Sequence, residues 1–393
     1  MPFNMHATLP EDVWVKIFEI LVLSDPDIVG GSRDGLKALS SLLRVSRLMH
    51  RLVFPIFYSR LWVFKVEKSE SFEAWFDTHP DKKMFSYFRQ ITFLVAEGET
   101  NRNIDSMLLM LERMENIEEL SIEFEGPLVF LTESSLRSLK RRALFKKTLL
   151  RLKHLTLVGV DGSPLVGVEL IEKLDNLQAL SISNILPSKP LVLPKNLKKF
   201  VYEGQQDLQL QADAPFLKRD SISSLGIQLS TIVKYLDQRS PDSSIWDILP
   251  SALRHLHLSG SLVSEKPVLR SFLPVLSQLP ITNLELDFFM NKEDVAKAHS
   301  KELAEWIDAF PSSLTHWCLR YMDTRSMEGE ESDIIKQCGE QINCNLSRRQ
   351  HRLKELKTSI ERKFWTHTGY LYNWDSIKNK AIFSKLLEPH FGG

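Results

Sequence analysis

A chain of 393 residues carries 50 Lys plus Arg against 50 Asp plus Glu, and 43% of its residues are hydrophobic. The length favours two domains or one long repeat array, and the balanced charge removes any global electrostatic case for nucleic acid or an anionic membrane. The three cysteines, Cys318, Cys338 and Cys344, are too few for a disulfide framework and odd in number, which points to free thiols in a reducing compartment.

The opening Met1-Pro-Phe-Asn-Met-His lacks a basic stretch followed by an apolar core, so no signal peptide is expected. No stretch offers the ~18 uninterrupted apolar residues of a membrane span. The expected location is cytoplasmic or nuclear, with no membrane partner.

Thr8-Leu9-Pro10-Glu11 has the spacing of a capping box, and Pro10 suits a first helical turn that has no use for its missing N–H. Val13, Ile17, Ile20 and Leu21 follow at helical spacing, and Trp14 and Phe18 widen the apolar face beyond one core stripe. That width suggests a partner. After a polar, glycine-containing loop over 24–35, a second apolar helix is predicted through Leu39, Leu42, Leu43 and Met49, followed by Phe54-Pro-Ile-Phe-Tyr and Leu61-Trp62.

This stretch resembles the F-box motif. Leu9, Pro10, Ile17 and Leu21 match its opening helix, Leu43 to Leu52 resembles its "Leu-x-Val-Ser-x-x-Trp-x-x-Leu" segment, and Leu61-Trp62 falls where the family often carries a closing Leu-Trp. Met49 stands at the usual Trp, where a flexible thioether can fill an apolar gap. The resemblance implies docking to the Skp adaptor of a cullin-based ubiquitin ligase through Leu9, Pro10, Val13, Ile17, Leu21, Val45, Met49 and Leu52. A helical cap for the repeats behind it is the plainer alternative.

A six-residue pattern, L-x-x-L-x-L, then recurs. It reads Ile117/Leu120/Ile122, Leu152/Leu155/Leu157, Leu177/Leu180/Ile182, Leu197/Phe200/Tyr202, Ile222/Leu225/Ile227, Leu253/Leu256/Leu258, Ile281/Leu284/Leu286 and Leu314/Trp317/Leu319, with Phe88/Ile91/Phe93 as a possible first copy. Copies are about 20 to 35 residues apart. Pro194, Pro250 and Pro311 stand three residues before the first Leu of three copies, and the bias of proline's neighbour toward extended backbone predicts strand starts there. Pro267 to Gln278 and Lys292 to Ala309 have helical apolar spacing, whereas Ile185 to Asn196 holds three prolines and should be coil.

The pattern resembles a leucine-rich-repeat solenoid. Regular repeats carry Asn or Cys three residues after the last Leu, but here those places hold Glu125, Val160, Ile185, Gln205, Ser230, Ser261, Phe289 and Met322. Without that ladder, backbone groups at the turns must be satisfied otherwise. The expected fold is α/β: an N-terminal helical F-box with its connecting helix over 1–65, an irregular solenoid with parallel concave strands over 66–325, and a helical, aromatic cap over 326–393. In the last segment Leu346, Leu353, Leu356, Ile360 and Phe364 fit one face of a helix.

The common short signatures for nucleotide, acyl-transfer and zinc-protease chemistry are absent, so no enzyme activity and no cofactor are expected. Cys338, Cys344 and His351 do not match a familiar zinc module. The basic run Arg137, Lys140, Arg141, Arg142, Lys146 and Lys147 reads as a solvated helix, and the minority reading is an acidic partner or a nuclear address.

Strand side chains alternate faces, so residues beside the central Leu of each copy face the concave side. Over the last three copies these include His255, His257, Glu285, Asp287, His316 and Arg320, the expected substrate-binding residues. The leading expectation is a non-catalytic substrate receptor that brings an unknown protein substrate to a Skp-cullin-F-box ligase. A leucine-rich scaffold without a ligase role and a leucine-rich GTPase activator are the alternatives, and for the latter no motif nominates a functional Arg or Asn.

Overall fold

The computed structural model describes residues 10–23, 38, 40–59, 62–65, 82–96, 101–124, 147–165, 171, 174–187, 191–203, 221–232, 249–261, 272–290, 309–323 and 357–364. The chain divides into two compact units, the first running to Thr156 and the second starting at Leu157.

In the first unit, helix α1 (Glu11–Leu23) packs against helix α2 (Arg47–Ser59). Phe18, Leu52, Val53 and Ile56 form their shared buried core, flanked by Trp14, Ile17, Leu42, Leu43 and Met49. The predicted second helix is not continuous. Helical residues near Leu42 end in a turn at Leu43–Val45, and α2 begins only after Ser46, whose Oγ accepts the Met49 backbone N–H at 3.1 Å. A serine there caps a new helix better than it continues an old one, because its hydroxyl competes for backbone N–H groups.

Helix α2 runs on through Pro55 and takes in the Phe54-Pro-Ile-Phe-Tyr segment. An interior proline ordinarily costs ~3 kcal/mol. Burial on two sides offsets that here: Val53 and Ile56 face α1, while Phe54 meets Tyr87 edge-on at 5.7 Å and Tyr58 meets Phe88 at 5.9 Å. Tyr87 ends a 3-10 helix, Lys82–Tyr87. Burial pushes the Tyr58 hydroxyl up to about 12.

Strands β1 (Trp62–Lys65), β2 (Gln90–Val95) and β3 (Glu119–Phe124) of this unit pair in parallel, Trp62 opposite Ile91 and Ile91 opposite Leu120. The repeat sheet thus starts at Trp62, inside the stretch expected to be a connecting helix. Between β2 and β3, helix α3 (Asn101–Arg113) buries Ile104, Met107, Leu108 and Leu111. That spacing gives one apolar stripe on a helix.

Strand β4 (His154–Leu165) carries the boundary between the units. The second unit continues with β5 (Ala179–Pro187), β6 (Lys199–Glu203), β7 (Ser224–Gln228), β8 (His255–Ser261), β9 (Asn283–Met290), β10 (His316–Asp323) and β11 (Lys357–Phe364). From β5 to β11 each strand pairs in parallel with its sequence neighbour. Every copy of the leucine pattern is a strand. Leu180, Phe200, Leu225, Leu256 and Leu284 stand in one register row, each no more than 1% exposed.

Strand β11 corrects the sequence reading of residues 357–364, where a helix was expected. The segment holds apolar residues at both periods, and β-branched Thr358 and Ile360 alternate as a strand requires. Their backbones pair with Trp317 and Leu319 of β10. In the coil expected over Ile185 to Asn196, β5 extends to Pro187 and residues 191–196 are turn and coil. Of the two predicted connecting helices, 272–276 is helical, while 292–308 lies outside the described residues, as do Cys338, Cys344, His351 and most of the basic run.

The prolines mark a turn rather than the first residue of a strand. Leu197, Leu253 and Leu314 donate their backbone N–H to the carbonyls of Pro194, Pro250 and Pro311 at 3.4, 3.1 and 3.1 Å, closing a turn five residues before the strand. Leu177 closes the same turn on Leu174, and in the first unit Ile117 closes it on Met114 and Leu152 on Leu149. Proline fits because its fixed φ is preset and its missing N–H is not called upon.

These turns also answer the missing asparagine ladder. The residue just before the first Leu reaches back one repeat to the carbonyl two residues before that repeat's own first Leu: Asn116 Nδ2 to Ser86 O (2.7 Å), Asn196 Nδ2 to Asp175 O (2.8 Å), Ser221 Oγ to Lys195 O (3.0 Å) and Ser313 Oγ to Leu279 O (3.4 Å), the last hydroxyl also lying 2.7 Å from Ile281 O. A polar ladder exists, at the other end of the motif. Next to it, two backbone N–H groups from each strand start converge on one carbonyl of the preceding strand, as Arg254 and His255 do on Ser223 O (2.8 and 3.0 Å).

Candidate functional site

Two surfaces collect the residues singled out in the sequence, one in each unit. In the first, α1 and α2 bury one face between them and leave apolar groups outside. Ile20 of α1 is 64% exposed, Val45 of the turn 68% and Leu48 of α2 39%. Val13, Ile17 and Met49 are half-buried, Pro10 is exposed, and Leu52 lies inside the helical core. Leu9 and the Leu21 side chain lie outside the described residues. Arg51 pairs with Glu11 across the two helices, both well exposed, so the pair adds little stability.

In the second unit, the side chains between the buried leucines form a polar face. His255 Nε2 lies 3.0 Å from Glu285 Oε1 without the alignment of a hydrogen bond, and His257 Nδ1 lies 3.7 Å from Glu203 Oε1. The second contact crosses a strand, since His257 is on β8 and Glu203 on β6. On β7, Gly226 stands opposite His257 on one side and Val201, two residues before Glu203, on the other. A Cβ at Gly226 would stand 3.0 Å from Val201 Cγ1 and 3.3 Å from His257 Nδ1, so a side chain there would require Val201 and His257 to give way.

The fold therefore brings His255, His257 and Glu285 onto adjacent strands and adds Glu203, which the sequence reading passed over. His316 stands apart, exposed, with Asn283 between its backbone and that of His255. By backbone register Asp287 lies between Ser259 and Arg320; the side chains of Asp287 and Arg320 are outside the described residues. Gly226 had one sequence signal, a glycine inside the strand pattern Leu225-Gly226-Ile227, which often marks close approach of another group. Glu203 had none, because its partner is two strands away.

A second feature of this unit is the pair of residues opening each strand. At the residue before the strand stand Gln178, Lys198, Ser223, Arg254, Thr282 and Thr315, and at its first residue Ala179, Lys199, Ser224, His255, Asn283 and His316. Lys198, Lys199, Arg254, Thr315 and His316 are exposed. Among the described residues, no group of three His, Cys, Asp or Glu is placed to hold a metal ion, and no helix is long and apolar enough to cross a membrane.

No family model matches the chain, and no curated protein matches it. Among solved structures it is similar to the crystal structure of the leucine-rich repeat-containing protein LegL7 from Legionella pneumophila, at 11% identity and a TM-score of 0.30, over 84% of this chain and 98% of that one. The repeat architecture rests on the strand register and the recurring turns described above.

Proposed function

We propose that the chain is a non-catalytic substrate receptor: the helical module docks to the Skp adaptor of a cullin ubiquitin ligase, and the polar strand face holds a protein substrate. The observation that carries the first half is the exposure of Ile20, Val45 and Leu48 within the stretch that resembles the F-box. Exposed apolar side chains clustered in one small module fit burial by a partner better than solvation. The second half is supported by the His255, His257, Glu203 and Glu285 group, which offers donors and acceptors from three strands to one ligand. Such a receptor works by proximity, making the encounter of substrate and ubiquitin-carrying enzyme local.

The test is capture of purified Skp adaptor by the full chain and by Ile20→Asp and Val45→Asp. Deleting the module is a poorer test, since Phe54 and Tyr58 of α2 pack against Tyr87 and Phe88. Each aspartate is expected to weaken capture about 30-fold, the equivalent of ~2 kcal/mol for a buried interface anchor. Undiminished capture by both variants, or none by the parent chain, sinks the adaptor reading and leaves a leucine-rich scaffold.

A further inference from the structure

We propose that the strand starts of the second unit bind an acidic peptide segment, laid across β6 to β10 with its negative groups about three residues apart. The inference rests on the receptor reading and names the chemistry of what the repeats hold.

The argument begins with the first unit, where the same two positions are balanced by the chain itself. Glu118 takes Lys153 Nζ at 3.0 Å and Arg89 Nη1 at 3.9 Å, while Glu119 takes His154 Nδ1 at 3.0 Å and the Gln90 amide. In the second unit no carboxylate occupies either position from β5 to β10. Lys198, Lys199 and Arg254 project there, with Lys195 in the preceding turn, and none forms an ion pair among the described residues. Glu203 and Glu285 lie farther along their strands, each facing an imidazole, and Asp175 lies in the turn before β5.

Acceptors at these strand starts are already used. The carbonyls of Lys198, Arg254 and Thr282 each take two backbone N–H groups from the next strand and a hydroxyl, from Ser223 (3.4 Å), Thr282 (3.2 Å) and Thr315 (3.1 Å) respectively. What faces outward is cationic and donor-rich, which suits an anion.

Spacing selects a peptide. Lys199 and His255 are separated by β7, and His255 and His316 by β9. Two strand spacings are roughly 10 Å, close to the rise of three residues of extended chain. Acidic groups at every third residue would therefore meet Lys199 at the start of β6, the Arg254-His255 pair at the start of β8 and the donors of Thr315-His316 at the start of β10. Nucleic acid fits less well, because strong binding there draws on roughly six to ten phosphate contacts, and these strand starts offer only Lys195, Lys198, Lys199 and Arg254 among the described residues.

The experiment uses the full chain and four labelled probes: a twelve-residue peptide with Glu at every third position, its phosphoserine counterpart, its Lys counterpart, and a single-stranded oligonucleotide of similar length. The acidic peptides are expected to bind and to weaken as salt rises. Lys199→Glu with Arg254→Glu should weaken them at least about tenfold, whereas Lys153→Glu in the first unit should not. Preference for phosphoserine assigns the charge to phosphate, and equal binding assigns it to either group. Acidic peptides binding no better than the Lys peptide, an unaffected double variant, or an oligonucleotide that binds more tightly than both would overturn the proposal. Adaptor capture by the same preparations separates the two readings: a chain that binds the peptides but not the adaptor loses the ligase role and keeps the site.

Discussion

The strand starts of the two units follow one backbone plan and end in opposite electrostatic states. In both, a carbonyl of one strand takes paired N–H groups from the next, and a side chain before the first Leu reaches back to a turn carbonyl. In the first unit Glu118 and Glu119 stand among Arg89, Lys153 and His154 and pair with them, while in the second Lys198, Lys199 and Arg254 have no carboxylate at the equivalent positions. Stability does not explain the difference, since exposed pairs contribute little and unpaired exposed lysines cost little. Among the described residues that charge meets no carboxylate, and the acidic segment proposed above would supply one from outside the chain.

Four sets of substitutions put the contrast between the units to the test. The largest effect tests the shared frame: Leu120→Ala in the first unit and Leu256→Ala in the second, both nearly fully buried, should each cost ~2 to 5 kcal/mol by chemical denaturation. If only one does so, the two units do not share one core plan. Gly226→Ala comes next, at ~1 to 3 kcal/mol, because the added Cβ crowds Val201 and His257. The His257 imidazole resonances should shift with it, and an unmoved spectrum would mean that the Glu203 contact does not depend on the glycine.

Smaller effects follow. Asn116→Ala and Asn196→Ala should each lose ~0.5 to 1.5 kcal/mol, one reaching-back hydrogen bond apiece. A clear loss in one and none in the other would confine the polar ladder to one unit. Last, Lys153→Ala should cost ~0.2 to 1 kcal/mol by leaving Glu118 short of a partner, whereas Lys199→Ala should stay within ~0.5 kcal/mol of the parent. An equal loss in both would show that Lys199 is internally compensated after all, and would remove the contrast on which the peptide surface rests.

Much of this was legible in the sequence because burial has a period. Each L-x-x-L-x-L copy became a parallel strand, since alternation at period two leaves a strand as the only way to bury those residues on one side. Ile360 and Phe364 fall on a strand and not the expected helix because a spacing of four satisfies the helical period and the strand period together. Ser46 split a predicted helix that apolar spacing alone would have kept whole, because a cap is a local hydrogen bond with no periodicity. Of the candidate site, His255, His257 and Glu285 followed from alternation, whereas Glu203 and Gly226 depend on which strands become neighbours. The bare strand starts were unreadable for a different reason: a lysine in sequence does not say whether a glutamate waits on the next rung.

The turn closed by Met114, Leu174, Pro194, Pro250 and Pro311 has a consequence for how such a chain can change. Within the nine residues from the turn through the last Leu of the motif lie the side chain that reaches back and the paired N–H groups that meet the carbonyl of the preceding strand start. Copies at intervals of about 20 to 35 residues stack in sequence order within each unit, so register follows these spans and not the interval between them. A rung is therefore portable. Lengthening the sequence between two such spans should leave unchanged which residues stand side by side on the strands, so the interval and the strand face are free to evolve at different speeds.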